Sequence, residues 1–400
     1  MRRGLLLPGL LLLSATATFG QRPDIWPPLI ADPVAPLPWP ESGSRVREVL
    51  RNAIQGGDRE RAALAARQLA TIGGSLTEAS QALVAPLIAP DLAAELGPRF
   101  AANALPLTAS TVETNAPADH HLIEGIAWDA AGNRLFVGSV VDRQLLVREG
   151  GNWRAVPLPA EVGGIFGMAI DTRRRLLWLT SNVVDQVPHP ETAFRGLLAL
   201  DLASLRVVRR LALPADAMPG DVATGPDGSV YASSRGEVYS ARPGTDHMEP
   251  LFGNSRMTSA QGVVVSADGA RIYAADYDRG LGVYDVANRR LYRLQAPEPA
   301  MLDGIDGLVG YHGDLIAIQN GTRPTRIIRI RLAPGGLAIA DITVLERNNP
   351  EWGEPTLGTI AGDRLLYIGD GQWDRYGPGG TVTGEGPTRP TPIRALPLAN

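Results

Sequence analysis

Four oxygen-bearing side chains stand at the starts of similar short hairpins: Glu124 in Glu124-Gly125, Asp221 in Asp221-Val222, Gln261 in Gln261-Gly262 and Asp306 in Asp306-Gly307. If these hairpins surround a common axis, Glu124 and Asp306 become carboxylates crowded in a partly dry channel, with Asp221 beside them. Ionised groups in such a place are strongly penalised unless they are paired or bound to a metal. A hard divalent cation, which takes about six to eight oxygens, resolves that crowding. The alternative is structural: the acids cap turns, accept hydrogen bonds from backbone amides, or pair with an arginine such as Arg256 or Arg323.

The common axis follows from a repeat. Gln261–Asp276 reads as two β-rich runs joined by the Asp268-Gly269 turn, the signature of a hairpin. Related units start at Glu124, Phe166, Gly220, Asp306 and Pro355, giving six copies with steps of 42, 54, 41, 45 and 49 residues. Periods of about 40 to 50 residues with several short strands each mark a β-propeller. A pair of further β-type runs follows most hairpins, such as Leu197–Asp201 and Val207–Leu213. Four strands per copy predict an all-β, six-bladed β-propeller over residues 105–400. The innermost strand of each blade then starts near the channel, where Glu124, Gln261 and Asp306 converge. Leu105–Thr114 is expected to supply the outer strand of the last blade beside Pro392–Leu398, which closes the ring and pairs its edges.

Composition excludes several chemistries. The chain has 400 residues, 44% of them hydrophobic, enough for a large core, and a net charge of −4 gives no basic footprint for nucleic acid. It contains no lysine, which removes Schiff-base chemistry and the lysine of a phosphate-binding loop. It contains no cysteine, which removes thiol nucleophiles, thiolate zinc sites and disulfides. There is no Gly-x-Ser-x-Gly elbow and no His-Glu-x-x-His helix.

Arg2-Arg3, the apolar run Leu5–Leu13 and the small residues Ser14-Ala15-Thr16-Ala17 read as a cleaved export signal over 1–20. The expected location is therefore the periplasm or the medium of a bacterium, and no later stretch is long and apolar enough to span a membrane. Seven prolines between Pro23 and Pro40 predict an extended linker over 21–43. Residues 44–104 turn helical. Val46, Val49, Leu50, Ala53 and Ile54 have helical spacing, Gly56-Gly57 stop that helix, and Asp58 caps a second through Ala62, Ala65, Leu69 and Ile72. A third is expected from Glu78 to about Ala85, and a short fourth between Asp91 and Leu96. The first two resemble one tetratricopeptide-type hairpin; a solenoid needs about three repeats, so this segment is expected to pack on the propeller or on a protein partner.

From residue 105 onward the chain resembles the gluconolactonase and regucalcin-type (senescence-marker-protein-like) family, which is itself similar to paraoxonases. Glu124-Gly125-Ile126-Ala127-Trp128 matches that family's Glu-Gly-φ-φ-Trp motif, and Asp306-Gly307 its Asp-Gly motif. The family's asparagine positions fall on Gln261-Gly262 and on Gly220-Asp221, so both asparagines are replaced. The resemblance implies a six-bladed propeller holding calcium through Glu124, Gln261, Asp306 and Asp221, and hydrolysing lactones or related esters. Asp306 is then both metal ligand and catalytic base, and Glu124 a ligand only. A second reading, of a different class, is a non-catalytic propeller that binds a ligand or a protein. Asp276 and Asp303 are substitutes for the missing amides; His121 lies three residues before Glu124, and Trp352 and Trp373 sit in loops that can line a pocket.

Overall fold

The computed structural model describes residues 41–253 and 257–398. The expected export signal, the linker up to residue 40, and Arg256 lie outside the described residues.

Six antiparallel four-stranded sheets follow one another around the ring, as the hairpin spacing predicts. Their inner strands are Ile123–Asp129, Gly164–Asp171, Pro219–Thr224, Ala260–Val265, Ile305–Tyr311 and Gly358–Ala361, which we number as blades 1 to 6. The turns are made as their residues dictate: Gly228 and Gly269, each after an aspartate, adopt positive φ of 90° and 73°. Between neighbouring blades lie apolar cores, among them Phe136, Leu145, Ile165 and Leu198 between blades 1 and 2. Each fully buried side chain of this kind contributes about 1.5–3 kcal/mol.

Blade 6 is built from both ends of the described chain, with Thr111–Ala116 pairing against Thr391–Pro397. A buried polar network seals this seam. Arg394 donates to Ser110 Oγ (2.9 Å), Ser110 O (3.0 Å) and Glu351 Oε2 (2.8 Å), while buried Glu346 accepts from Ser110 Oγ, Asn349 and Tyr367.

The inner strands share one irregularity. In blades 1 to 5 two residues of the inner strand oppose a single residue of the next: the register slips between Ile123 and Gly125, Ile165 and Met168, Pro219 and Val222, Ala260 and Val263, and Ile305 and Gly307. In blade 6 Ile368 serves both Thr356 N (3.3 Å) and Leu357 O (3.0 Å). Such bulges release a side chain from the pleat and re-aim it.

The helical segment contains α1 (Gly43–Gly56), α2 (Arg59–Thr71), α3 (Glu78–Val84) and α4 (Pro90–Ala104). Ser42, Asp58 and Thr77 cap the first three by accepting from the amides of Arg45, Arg61 and Ser80. The fourth helix is longer than the short piece expected between Asp91 and Leu96, because it continues through Gly97-Pro98. Packing of Leu92, Leu96 and Phe100 against the helical core and the bond from Asn103 to Ala70 O and Gly74 O outweigh the donor lost at proline.

These helices dock on the propeller at blades 4 and 5. Asp303 accepts from Gly43 N (2.8 Å), Ser44 N (2.8 Å), Ser44 Oγ (2.8 Å) and Ser42 Oγ (3.1 Å), so a blade loop supplies the anion at the N-terminus of α1. Met301 inserts into the helical core, and Ser75 N donates to Arg323 O (2.9 Å).

Candidate active site at the channel mouth

The bulges put one side chain per blade at the start of the inner strand. In chain order these are Glu124, Phe166, Asp221, Gln261, Asp306 and Thr356, so the acids occupy alternate blades. The glycines that follow permit the close approach. A β-carbon on Gly125 would stand 2.1 Å from Phe166 O, and one on Gly167 would stand 2.4 Å from Asp221 Cα. Only hydrogen fits there.

Each acid is held by donors that carry no charge. Glu124 is buried at 4% exposure, and Trp373 Nε1 donates to its Oε2 (2.9 Å). Asn320 Nδ2 donates to Asp306 Oδ2 (2.7 Å), and Tyr277 OH fixes that amide by donating to Asn320 Oδ1 (3.0 Å). Asp221 accepts from Val222 N (2.8 Å) and, across the blade boundary, from Val263 N (3.2 Å). Gln261 Nε2 donates to Ser259 Oγ (3.0 Å). Thr356, fully buried, faces Glu124, and its hydroxyl acts as a donor that works against the rise of that carboxyl.

The electrostatic result is a set of carboxyls that resist ionisation. Burial, and then the charge of Asp306, push Glu124 well above the usual carboxylate range. Burial pushes Asp221 up to about 7, with Asp306 adding to it, and Asp306 itself up to about 6. Glu354, exposed at the rim, is raised in turn by burial of its carboxyl and by Asp374 and Asp370. No arginine contributes to any of the three inner acids, so the arginine pairing considered from the sequence is absent among the described residues.

Asp276 and Asp303 are engaged elsewhere. Asp276 accepts from Thr258 N and Oγ1 (2.7 and 2.6 Å), and Asp303 anchors α1. His121 Nδ1 pairs with Asp142 Oδ1 at 2.8 Å, beside the ring of Tyr376. Trp373 lines the site, its ring 6.0 Å from Phe166, whereas Trp352 packs between blades 5 and 6 and donates to Tyr367 OH (2.7 Å). The loop that carries Trp373 is organised by Arg375, which donates to the carbonyls of Glu385, Gly386 and Pro387.

Three contributors were not read from the sequence as site residues. Thr356 follows Pro355 by one position, so aligning the bulges rather than the hairpins finds it. Asn320 follows Gln319, which pairs with Ile305, so register places it past the strand end toward Gly304, and only its side chain reaches back to Asp306. Glu354 has no local signal.

The donor set suits a hard cation in its chemistry: buried oxygens and raised carboxyls that no arginine among the described residues offsets. Its spacing is wider than one coordination sphere, since no group of three or more His, Asp or Glu side chains able to hold a metal ion occurs among the described residues. No helix among them is long and apolar enough to cross a membrane.

The molecule is thus a six-bladed propeller with an acidic site at the inner-strand starts. No protein-family model matches the chain, and no curated protein matches it. Solved structures similar to it include a PQQ-bound aldose sugar dehydrogenase from Streptomyces coelicolor, 14% identical over 73% of this chain and 99% of that one, with a TM-score of 0.48. They also include a gluconolactonase from Xanthomonas campestris (15% identity, 75% and 92% coverage, TM-score 0.46). A calcium-binding regucalcin from Agrobacterium tumefaciens is similar at 17% identity, with 64% and 85% coverage and a TM-score of 0.44.

Proposed function

We propose that the chain hydrolyses lactones or related esters at the channel mouth, with calcium held among Glu124, Asp306, Asp221 and the carbonyl of Gln261, no more than two of the acids directly and the rest through water. The observation that carries this reading is the ring of buried acids at alternate blades, which no arginine among the described residues offsets. Calcium, when bound, supplies positive charge to polarise a carbonyl oxygen.

The chain's own groups do the rest. Asp306, raised by burial in the metal-free protein, is the carboxyl placed to take a proton from an attacking water. Asn320 holds its Oδ2 and leaves Oδ1 for that proton. Trp373 fixes Glu124 through Oε2, and the indole together with Phe166 forms an apolar wall that keeps bulk water off the carboxyls.

Calorimetric titration of the chelator-treated protein with calcium tests the reading, together with turnover of a panel of lactones and aryl esters. Stoichiometric binding, lost in Glu124→Ala and Asp306→Ala along with turnover, is expected. A folded protein that takes up no calcium and turns over no member of the panel refutes it.

A further inference from the structure

Three loops of blades 4 and 5 bond to the helical segment, and each lies within three residues of one member of the hydrogen-bond chain Tyr277, Asn320, Asp306. In the first loop Asp278 O accepts from Ser42 Oγ (2.8 Å), one residue after Tyr277. In the second, Asp303 accepts from the first amides of α1, three residues before Asp306. In the third, Arg323 O accepts from Ser75 N (2.9 Å) and from Arg47 Nη2, three residues after Asn320. Arg47 also donates to Ser75 O (2.8 Å), so one guanidinium from α1 bridges the chain that follows α2 to blade 5.

The loops are also locked to one another. Gly321 N donates to Gly304 O (3.1 Å) and Gly304 N to Tyr277 O (2.6 Å), which ties all three together. A β-carbon on Gly321 would stand 2.4 Å from Tyr277 OH, and one on Gly304 would stand 2.8 Å from the carbonyl carbon of Gly321, so only glycine permits the approach. In addition, the buried Gln319 donates to Met301 O (3.2 Å) and Asp303 O (2.7 Å), and the buried Arg326 donates to Gln319 Oε1 (2.6 Å) and Met301 O (2.7 Å). Buried polar networks satisfied in this way are rigid. A displacement of the helices is therefore passed on to the amide of Asn320 and not absorbed within the loops.

We propose that the helical segment is a positioning element of the channel site: Arg47 and Asp303, acting through these loops, hold Asn320 and so fix the orientation of Asp306. Glu124 and Asp221 are held differently, by Trp373 and by the amides of Val222 and Val263, so the influence of the helices falls on Asp306. The assignment of Asp306 to the cation and to the proton rests on the function proposed above; the coupling of its position to the helices does not.

The test follows two probes in the full chain: calcium alone, titrated by calorimetry, and the side-chain amide resonance of Asn320, identified by its loss in Asn320→Ala. Arg47→Ala is expected to shift that resonance and to weaken calcium binding about tenfold, the effect of loosening a partner of a metal-binding carboxylate. Asn320→Ala should weaken it by a similar factor, and the double variant no further, because both act on one chain of bonds. Arg47→Lys, which keeps a donor for one of the two carbonyls, should recover part of the loss. Ser42→Ala, which removes the bond to Asp278 O, is the second variant if Arg47→Ala does not fold. Losses that multiply in the double variant overturn the proposal, as does an Asn320 resonance that stays put in both Arg47→Ala and Ser42→Ala. If the resonance shifts and the wild type takes up no calcium, the positioning stands and the calcium reading falls. If both variants bind calcium as the wild type does, the positioning falls and the calcium reading stands.

Discussion

Asp221→Asn replaces a buried carboxyl with a side chain of nearly the same shape that never ionises. In the folded protein this carboxyl is raised from 3.8 to about 7, mainly by burial. The folded state therefore binds the proton more tightly than the unfolded chain does. The associated stability is fully present below the unfolded value and is lost as the pH rises through about 7. Between pH 5 and 7 the slope falls from nearly 1.36 kcal/mol per unit to half of that, so the wild type should lose about 2 kcal/mol over those two units from this group alone. At pH 5 both side chains are neutral, but the amides of Val222 and Val263 donate to different oxygens of Asp221, and the asparagine nitrogen that replaces one of them cannot accept. The variant should then be the less stable by about 1 kcal/mol. At pH 8.5 it should be the more stable by about 1–2 kcal/mol, the lower figure allowing for solvent at the mouth. Urea unfolding at pH 5, 6.5 and 8.5 in chelator measures the difference. A variant equally or less stable at pH 8.5 would refute the account of a carboxyl ionised against its surroundings.

Two further outcomes follow from the same geometry. Asp303→Ala strips the acceptor from the first amides of α1 and should cost about 3 kcal/mol, read as faster hydrogen exchange over 43–104 with the blade strands unchanged. If calcium binds as proposed, it must displace the protons that Asp221 and Asp306 hold, so its apparent Kd should rise about tenfold per pH unit below 6 for each proton displaced. Calorimetry in buffers of different ionisation enthalpy counts those protons, and uptake at pH 5.5 without proton release contradicts the assignment.

The blades were legible because each is specified locally. Asp-Gly turns, period-two alternation and near-even spacing act within about forty residues, and the residue before each glycine of the inner strand stands out in the same way. Glu124, Asp306 and Gln261 could be placed for that reason. The bulge that re-aims them is a tertiary feature: it is what selects Asp221 over Gly220, and Thr356 over Pro355. Asn320 and Trp373 reach the site from a strand end and a long loop, where no periodicity points. Asp303 was read as a spare metal ligand because nothing local distinguishes it; its role depends on a helix about 260 residues earlier in the chain.

Elsewhere several buried acids are paired with arginine: Asp129 with Arg134 and Arg175, and Asp285 within 3.3 Å of Arg271. The channel acids differ from these in that they stand close enough to raise one another. Sites that break the rules obeyed by the rest of a fold do so at the expense of stability, and that expense falls here on residues the bulges hold at the channel mouth. The rigid ring makes it tolerable, because the apolar cores lie between blades and not on the axis. What pairing with arginine supplies to Asp129 is withheld from Glu124, Asp221 and Asp306, and the cation proposed for the channel would restore it. The acid ring is therefore an argument about a ligand drawn from energetics alone, independent of any likeness to other propellers.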